Sequence, residues 1–152
     1  MRQTKNMNHI WSVLCKKSIV DADTNNINLE VLEEITFSVP LDDKFKLPAS
    51  FNFDYEIVSF WTSAKKSGEK FYVEMEFVDP NKKALNKIEQ EITFPENKTR
   101  LRTRVKANGL NVTKEGEYIL KVKAKSKKSE NFKTLAELPL TVHIKRTMPT
   151  KK

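Results

Sequence analysis

Apolar and polar residues alternate with a period of two along most of this chain, as in strands that bury one face and wet the other. Ile27, Leu29 and Val31 read as one strand, and Ile35, Phe37 and Val39 as the next. The face switches around Leu32–Glu34, where the extra residue of a bulge would reset the alternation. A further run passes through Phe51, Phe53, Tyr55 and Ile57 to Trp61, with Asp54, Glu56, Val58 and Phe60 on its other face. Phe71, Val73, Met75 and Phe77 alternate with Glu74 and Glu76, and Ile88, Ile92 and Phe94 lie opposite Glu89 and Glu91. Leu101, Thr103 and Val105 alternate with Arg100, Arg102, Arg104 and Lys106. Tyr118, Leu120, Val122 and Ala124 alternate with Lys121, Lys123 and Lys125, and Leu138, Leu140, Val142 and Ile144 form the last run. Ile10–Cys15 is apolar on both faces, which suits a central strand.

Polar and Pro- or Gly-containing breakers separate these runs, at residues 21–26, 40–43, 65–68, 79–82, 95–97, 108–109 and 115–116. Pro139 cannot donate to a ladder and is expected at an edge or a bulge. Only Lys82–Gln90 is ambiguous between helix and strand. About eight strands without linker, repeat or low-complexity block predict an all-β, two-sheet sandwich. The 152 residues read as one domain over 1–152, with an ordered core of about 8–146 and short basic tails.

The opening Trp11-Ser-Val-Leu-Cys15, the turn and strand Asp21–Leu29, and Leu32-Glu-Glu-Ile35 resemble the start of a family of small uncharacterised bacterial β-sandwich proteins. Phe77-Val-Asp-Pro-Asn81 and Gly116-Glu-Tyr118 fit its later parts. The resemblance implies an immunoglobulin-like sandwich, and it brings no activity, cofactor or catalytic residue with it. Gly116-Glu-Tyr118 is also similar to the tyrosine corner of such domains, although Lys114 stands where an Asp is usual, so Tyr118 is assigned to structure.

Charge narrows the partners. Lys and Arg total 28 against 20 Asp and Glu, a net charge of +8 that favours acidic partners. Part of the excess sits near the ends, at Arg2, Lys5, Lys145, Arg146, Lys151 and Lys152. Cys15 is the single cysteine, so no internal disulfide can form, and no apolar run is long enough for a transmembrane helix. No secretory h-region follows the N-terminus, which places the expected location in the cytoplasm.

Catalytic chemistry finds little support. His9, His143 and Cys15 lack ligand spacing, so no metal and no cofactor are expected, and no nucleophile elbow or glycine phosphate loop occurs. Asp21, Asp23 and Asn25 lack the glycine and glutamate of a calcium loop and read as a surface turn. The most informative chemistry is two basic rows. Lys98, Arg100, Arg102, Arg104 and Lys106 share one strand face, and Lys121, Lys123 and Lys125 share another. In one hairpin these rows would repel. If the chain crosses between sheets, each could instead pair with carboxylates such as Glu74, Glu76, Glu89 and Glu91. Neither row carries aromatic residues between its cations, which counts against base stacking. The sequence thus suggests a non-enzymatic binding or adaptor module with a protein partner. The alternative is an anion- or nucleic-acid-binding module using Arg100, Arg102, Arg104, Lys106, Lys121, Lys123 and Lys125.

Overall fold

The computed structural model describes residues 2–4, 7–42, 44–64 and 68–148. Lys5, Asp43, Lys65, Lys66, Ser67, Lys151 and Lys152, which figure in the expected tails and turns, lie outside them. Among the described residues ten strands are present: β1 (Arg2–Thr4), β2 (Met7–Val20), β3 (Ile27–Val31), β4 (Glu34–Pro40), β5 (Ala49–Ser63), β6 (Lys70–Val78), β7 (Ala84–Thr93), β8 (Arg100–Val112), β9 (Gly116–Lys125) and β10 (Lys133–Thr147). Sheet A runs β1-β2-β5-β8, with β3 also paired to β2, and sheet B runs β4-β10-β9-β6-β7. All pairs are antiparallel except β4 with β10. The protein is an all-β, two-sheet sandwich.

The inward faces are the alternating apolar sets. Trp61 meets Phe71 at 4.9 Å between ring centroids, Tyr55 meets Phe77 at 5.8 Å, and Phe37 stacks on Phe51 at 4.3 Å, so aromatic contacts bridge the two sheets. The fully buried Trp61 indole donates to Thr103 Oγ1 at 3.0 Å, which removes the penalty of an unpaired N–H in the core.

The break at Leu32–Glu34 is not a bulge. Leu32 N–H still donates to Leu14 of sheet A, whereas the Glu33 carbonyl already accepts from Thr141 of sheet B. The chain changes sheets there, and a change of sheet resets the buried face as an extra residue would. Bulges fall elsewhere in the register, two of them in β2, at His9/Trp11 and Cys15/Lys17. The ambiguous 82–90 stretch is extended, as β7, with Lys82 in the left-handed region at φ 65 closing the preceding turn. Pro139 lies on β10 ahead of Thr141, where pairing to β4 begins, so its missing N–H falls along an open edge.

Between β8 and β9 the chain crosses from one sheet to the other through a tyrosine corner. Tyr118 Oη donates to the Lys114 carbonyl at 2.7 Å and accepts from the Thr113 and Lys114 N–H groups at 3.0 and 3.2 Å. The turn at Asp79 is tied to the same corner, through Thr113 Oγ1 donating to Asp79 Oδ2 at 2.8 Å. This crossing sends the two basic rows to opposite outer faces of the sandwich.

Candidate anion-binding trough

The outer face of sheet A is built by register. In β2 the bulge at Ile10 turns the strand over, so that Met7 and His9 point inward but Trp11, Val13 and Cys15 point outward. Three rungs then run across β2, β5 and β8: Trp11–Phe60–Arg102, Val13–Val58–Arg104 and Cys15–Glu56–Lys106. Arg100, opposite Thr62, extends the cation row beyond the first rung.

This outer face is not open sheet. Val58 and Cys15 are fully buried on it, and Glu56 is nearly so. The cover comes from the hairpin of β2 and β3. Beyond Cys15, β2 leaves β5 and pairs with β3 alone, and its tip returns over the outward side chains. Arg104 donates to the Ser18 carbonyl at 3.3 Å and Arg102 to the Asn25 carbonyl at 3.2 Å, so two guanidiniums bridge floor and overhang. Between them lies a cleft of about 700 Å³ lined by Trp11, Phe60, Arg100, Arg102 and Arg104 from the sheet, with Val20 and residues 24–26 from the hairpin. That volume is in the range of small-molecule sites. The Asp21–Asn26 turn is closed by its own bonds, with Asp21 Oδ1 accepting from the Asp23 and Thr24 N–H groups, as expected of a surface turn.

The charges in this trough do not cancel. Glu56 Oε1 lies 3.4 Å from Arg104 and answers that one guanidinium. Arg102 meets a carbonyl, which orients it without neutralising it, and Arg100 sits over the Phe60 ring at 5.0 Å. Lys106 stands at the far end beside Glu56 in register, and Asp54 is held there by the Asn108 amide at 2.7 Å. Beneath the row, the Cys15 thiol is pushed up to about 11 by burial and by the Glu56 charge, with Arg104 working in the opposite direction.

The second row has a different fate. Lys121 and Lys123 stand opposite Glu76 and Glu74 of β6, and Lys121 also faces Glu137 of β10. Lys123 Nζ sits 3.6 Å from Glu74 and 3.7 Å from Glu76, both carboxylates nearly buried. Lys125 turns to its own loop, over the Phe132 ring at 4.3 Å and onto the Lys128 carbonyl at 3.1 Å. Lys70 and Lys87 pair with Glu91 and Glu76 at 3.2 and 3.4 Å. The outer face of sheet B therefore sets Lys70, Lys87, Lys121, Lys123 and Lys125 among Glu74, Glu76, Glu89, Glu91 and Glu137, and the two signs balance.

Of the anticipated residues, Arg100, Arg102, Arg104 and Lys106 gather on one face, and Lys121, Lys123 and Lys125 gather on the other, 100–106 in sheet A and 121–125 in sheet B. Lys98 precedes β8 in a turn, its N–H on the Pro95 carbonyl. Trp11 and the carbonyls of Ser18 and Asn25 were not anticipated, since an aromatic reaching the row from two strands away leaves no trace within the row. One signal did exist, the apolar character of both faces of Ile10–Cys15, which requires cover on the outer side as well. His9 Nε2 lies 2.7 Å from Ser12 Oγ, itself 2.6 Å from Ser59 Oγ, on the inner side of sheet A. His143 is exposed, 3.9 Å from Glu34. Among the described residues, no group of three or more His, Cys, Asp or Glu side chains converges as a metal site. Among the same residues, no helix is long and apolar enough to cross a membrane.

No protein-family model matches the chain, and no curated protein matches it. Among solved structures, the C-terminal domain of Wzt is similar in fold at a TM-score of 0.52 and 8% identity, covering 96% of this chain and 77% of that one. A glycosyl hydrolase family 2 member from Bacteroides cellulosilyticus DSM 14838 matches at 0.44 and 15% identity, over 60% of this chain and 13% of its own. The β-glucosidase from Listeria innocua in complex with glucose matches at 0.42 and 10%, over 88% of this chain and 16% of its own. This chain thus spans a small part of either glycosidase, and the likeness to the Wzt domain is one of β-sandwich fold.

Proposed function

We propose that the protein is a non-enzymatic binding module whose ligand is anionic and lies in the trough on sheet A. The observation that carries this reading is that Arg100, Arg102 and Arg104 line one cleft, with an ion pair to Glu56 at Arg104 and with a ring and a carbonyl as the partners of Arg100 and Arg102. Guanidiniums anchored at both floor and overhang are held in place before a ligand arrives, which lowers the ordering cost of binding. A protein partner added as a strand is the second reading, supported by β7 and β8, each of which has one strand neighbour and one free edge.

The test is retention on immobilised heparin, followed with inorganic polyphosphate as a soluble competitor across a salt series. Wild type is expected to elute at a salt concentration that drops clearly in the Arg100→Gln/Arg102→Gln variant. Equal elution of the two would overturn the anionic-ligand reading. Release by polyphosphate is expected, because neutralised phosphates free their counterions.

A further inference from the structure

The floor of the trough says more about the ligand than its charge does, and the following rests on the anionic-ligand reading above. We propose that the trough takes a short stretch of single-stranded nucleic acid, with phosphates along β8 and bases against Trp11 and Phe60. Side chains on one strand face repeat about every 6.8 Å, so Arg100 to Lys106 is a straight row of about 20 Å. That repeat is close to the spacing of consecutive phosphates in an extended single strand. Beside it, Trp11 and Phe60 form an edge-to-face pair at 5.9 Å, and both line the cleft. A charged groove flanked by aromatic rings is the arrangement by which single strands are held without regard to sequence.

Two further features define what can enter. The hairpin carbonyls of Ser18 and Asn25 sit within hydrogen-bond reach of guanidiniums that rise from the floor, so the roof is about one side chain above the sheet. A duplex is too thick for that gap, and a single strand would enter it by taking over the guanidinium bonds to the two carbonyls. The trough also continues past Arg104 into a second cleft of about 510 Å³, whose lining includes Lys16, Lys17, Ser18 and Lys106. Arg104 lines both parts. Ser18 Oγ, beside the second, is buried and has no hydrogen-bond partner among the described residues.

Wild-type protein would be titrated with a short oligothymidylate, with the same oligomer as a duplex, and with polyphosphate of matched charge, while tryptophan emission is followed. The single strand is expected to bind tightest and to quench emission, with the quench lost in Trp11→Phe because Trp61 is sealed in the core. Phe60→Leu is expected to weaken the oligomer about tenfold, as loss of one stacked base would, and to weaken polyphosphate by a smaller factor, through the Arg100 that the ring supports. With three phosphates neutralised, log affinity should fall against log salt with a slope of about −2. Polyphosphate bound as well as the oligomer, without quenching, would overturn the nucleic-acid assignment and leave the anionic-ligand reading standing. Duplex bound as tightly as single strand would overturn it too. If none of the three binds, both readings fall. The wild-type arms decide the question even if a variant fails to fold.

Discussion

Strands β8 and β9 carry nearly the same pattern, a row of cations alternating with residues that fill the core, yet their rows end in opposite electrostatic states. On β9 the neighbours across the ladder are Glu74, Glu76 and Glu137, so the lysines are spent on the fold. On β8 the neighbours are Phe60 and Val58, with Glu56 answering one guanidinium, so most of the charge has no carboxylate across the ladder. The difference lies in what register places opposite each cation, and it teaches that a basic row is a site only when its cross-strand partners leave it unpaired. Covering the β8 row with a hairpin adds shape to that surplus charge, whereas the β9 row lies flat against the carboxylates of its own sheet.

Breaking the paired side of the comparison should cost stability. Lys123→Met strands the nearly buried Glu74 and leaves Glu76 to Lys87, and unfolding in urea is expected to show a loss on the order of 2–3 kcal/mol with polyanion retention unchanged. Arg100→Met, at an exposed position, should change stability by less than about 0.5 kcal/mol while weakening retention. If both variants were equally destabilised, the division between committed and free cations would fail.

The corner that separates the rows is next in size. Tyr118→Phe leaves the Thr113 and Lys114 N–H groups and the Lys114 carbonyl without their shared partner, and a loss of about 1–2 kcal/mol is expected in the same assay. An unchanged midpoint would show that the crossing does not depend on that hydroxyl.

Two pH effects sharpen the picture at smaller amplitude. The Asp79 carboxyl is held below the usual carboxylate range, first by the Lys83 N–H and also by Thr113 and the Asn81 N–H. Its contribution is therefore present above the ordinary carboxylate range and is lost as pH falls through the lowered value. Asp79→Asn should flatten the acid limb of the stability profile, and an identical limb would contradict this role. Cys15 titrates the other way. Its thiol, raised to about 11, contributes stability below the ordinary thiol range near 9 that fades as pH rises through 11. Native protein should resist thiol alkylation at pH 8 and react once unfolded; prompt labelling of the native state would contradict a covered outer face.

Most strands were legible because period-two alternation is a local property, and so were most of the described turns; the expected break at Asn108-Gly109 instead lies inside β8, where Asn108 and Leu110 stay paired to β5 across a bulge. The 82–90 stretch was not legible, since edge strand β7 presents Asn86, Lys87, Glu89 and Gln90 to solvent, and such residues suit a helix as well. The face switch at Leu32 was visible, but a bulge and a change of sheet leave the same mark on the alternation. The site was half legible. Arg100, Arg102, Arg104 and Lys106 announce themselves on one face, but Trp11 joins them through pairing across two strands and a bulge at Ile10, which local pattern does not encode.

The most direct test of the account is a paired charge reversal measured on one polyanion column over a salt series. Arg100→Glu/Arg102→Glu is expected to lower affinity by about 100-fold or more, and Lys121→Glu/Lys125→Glu by less than about threefold. Equal losses from the two reversals, or a larger loss from the β9 pair, would contradict the claim that the β8 row alone is free to bind.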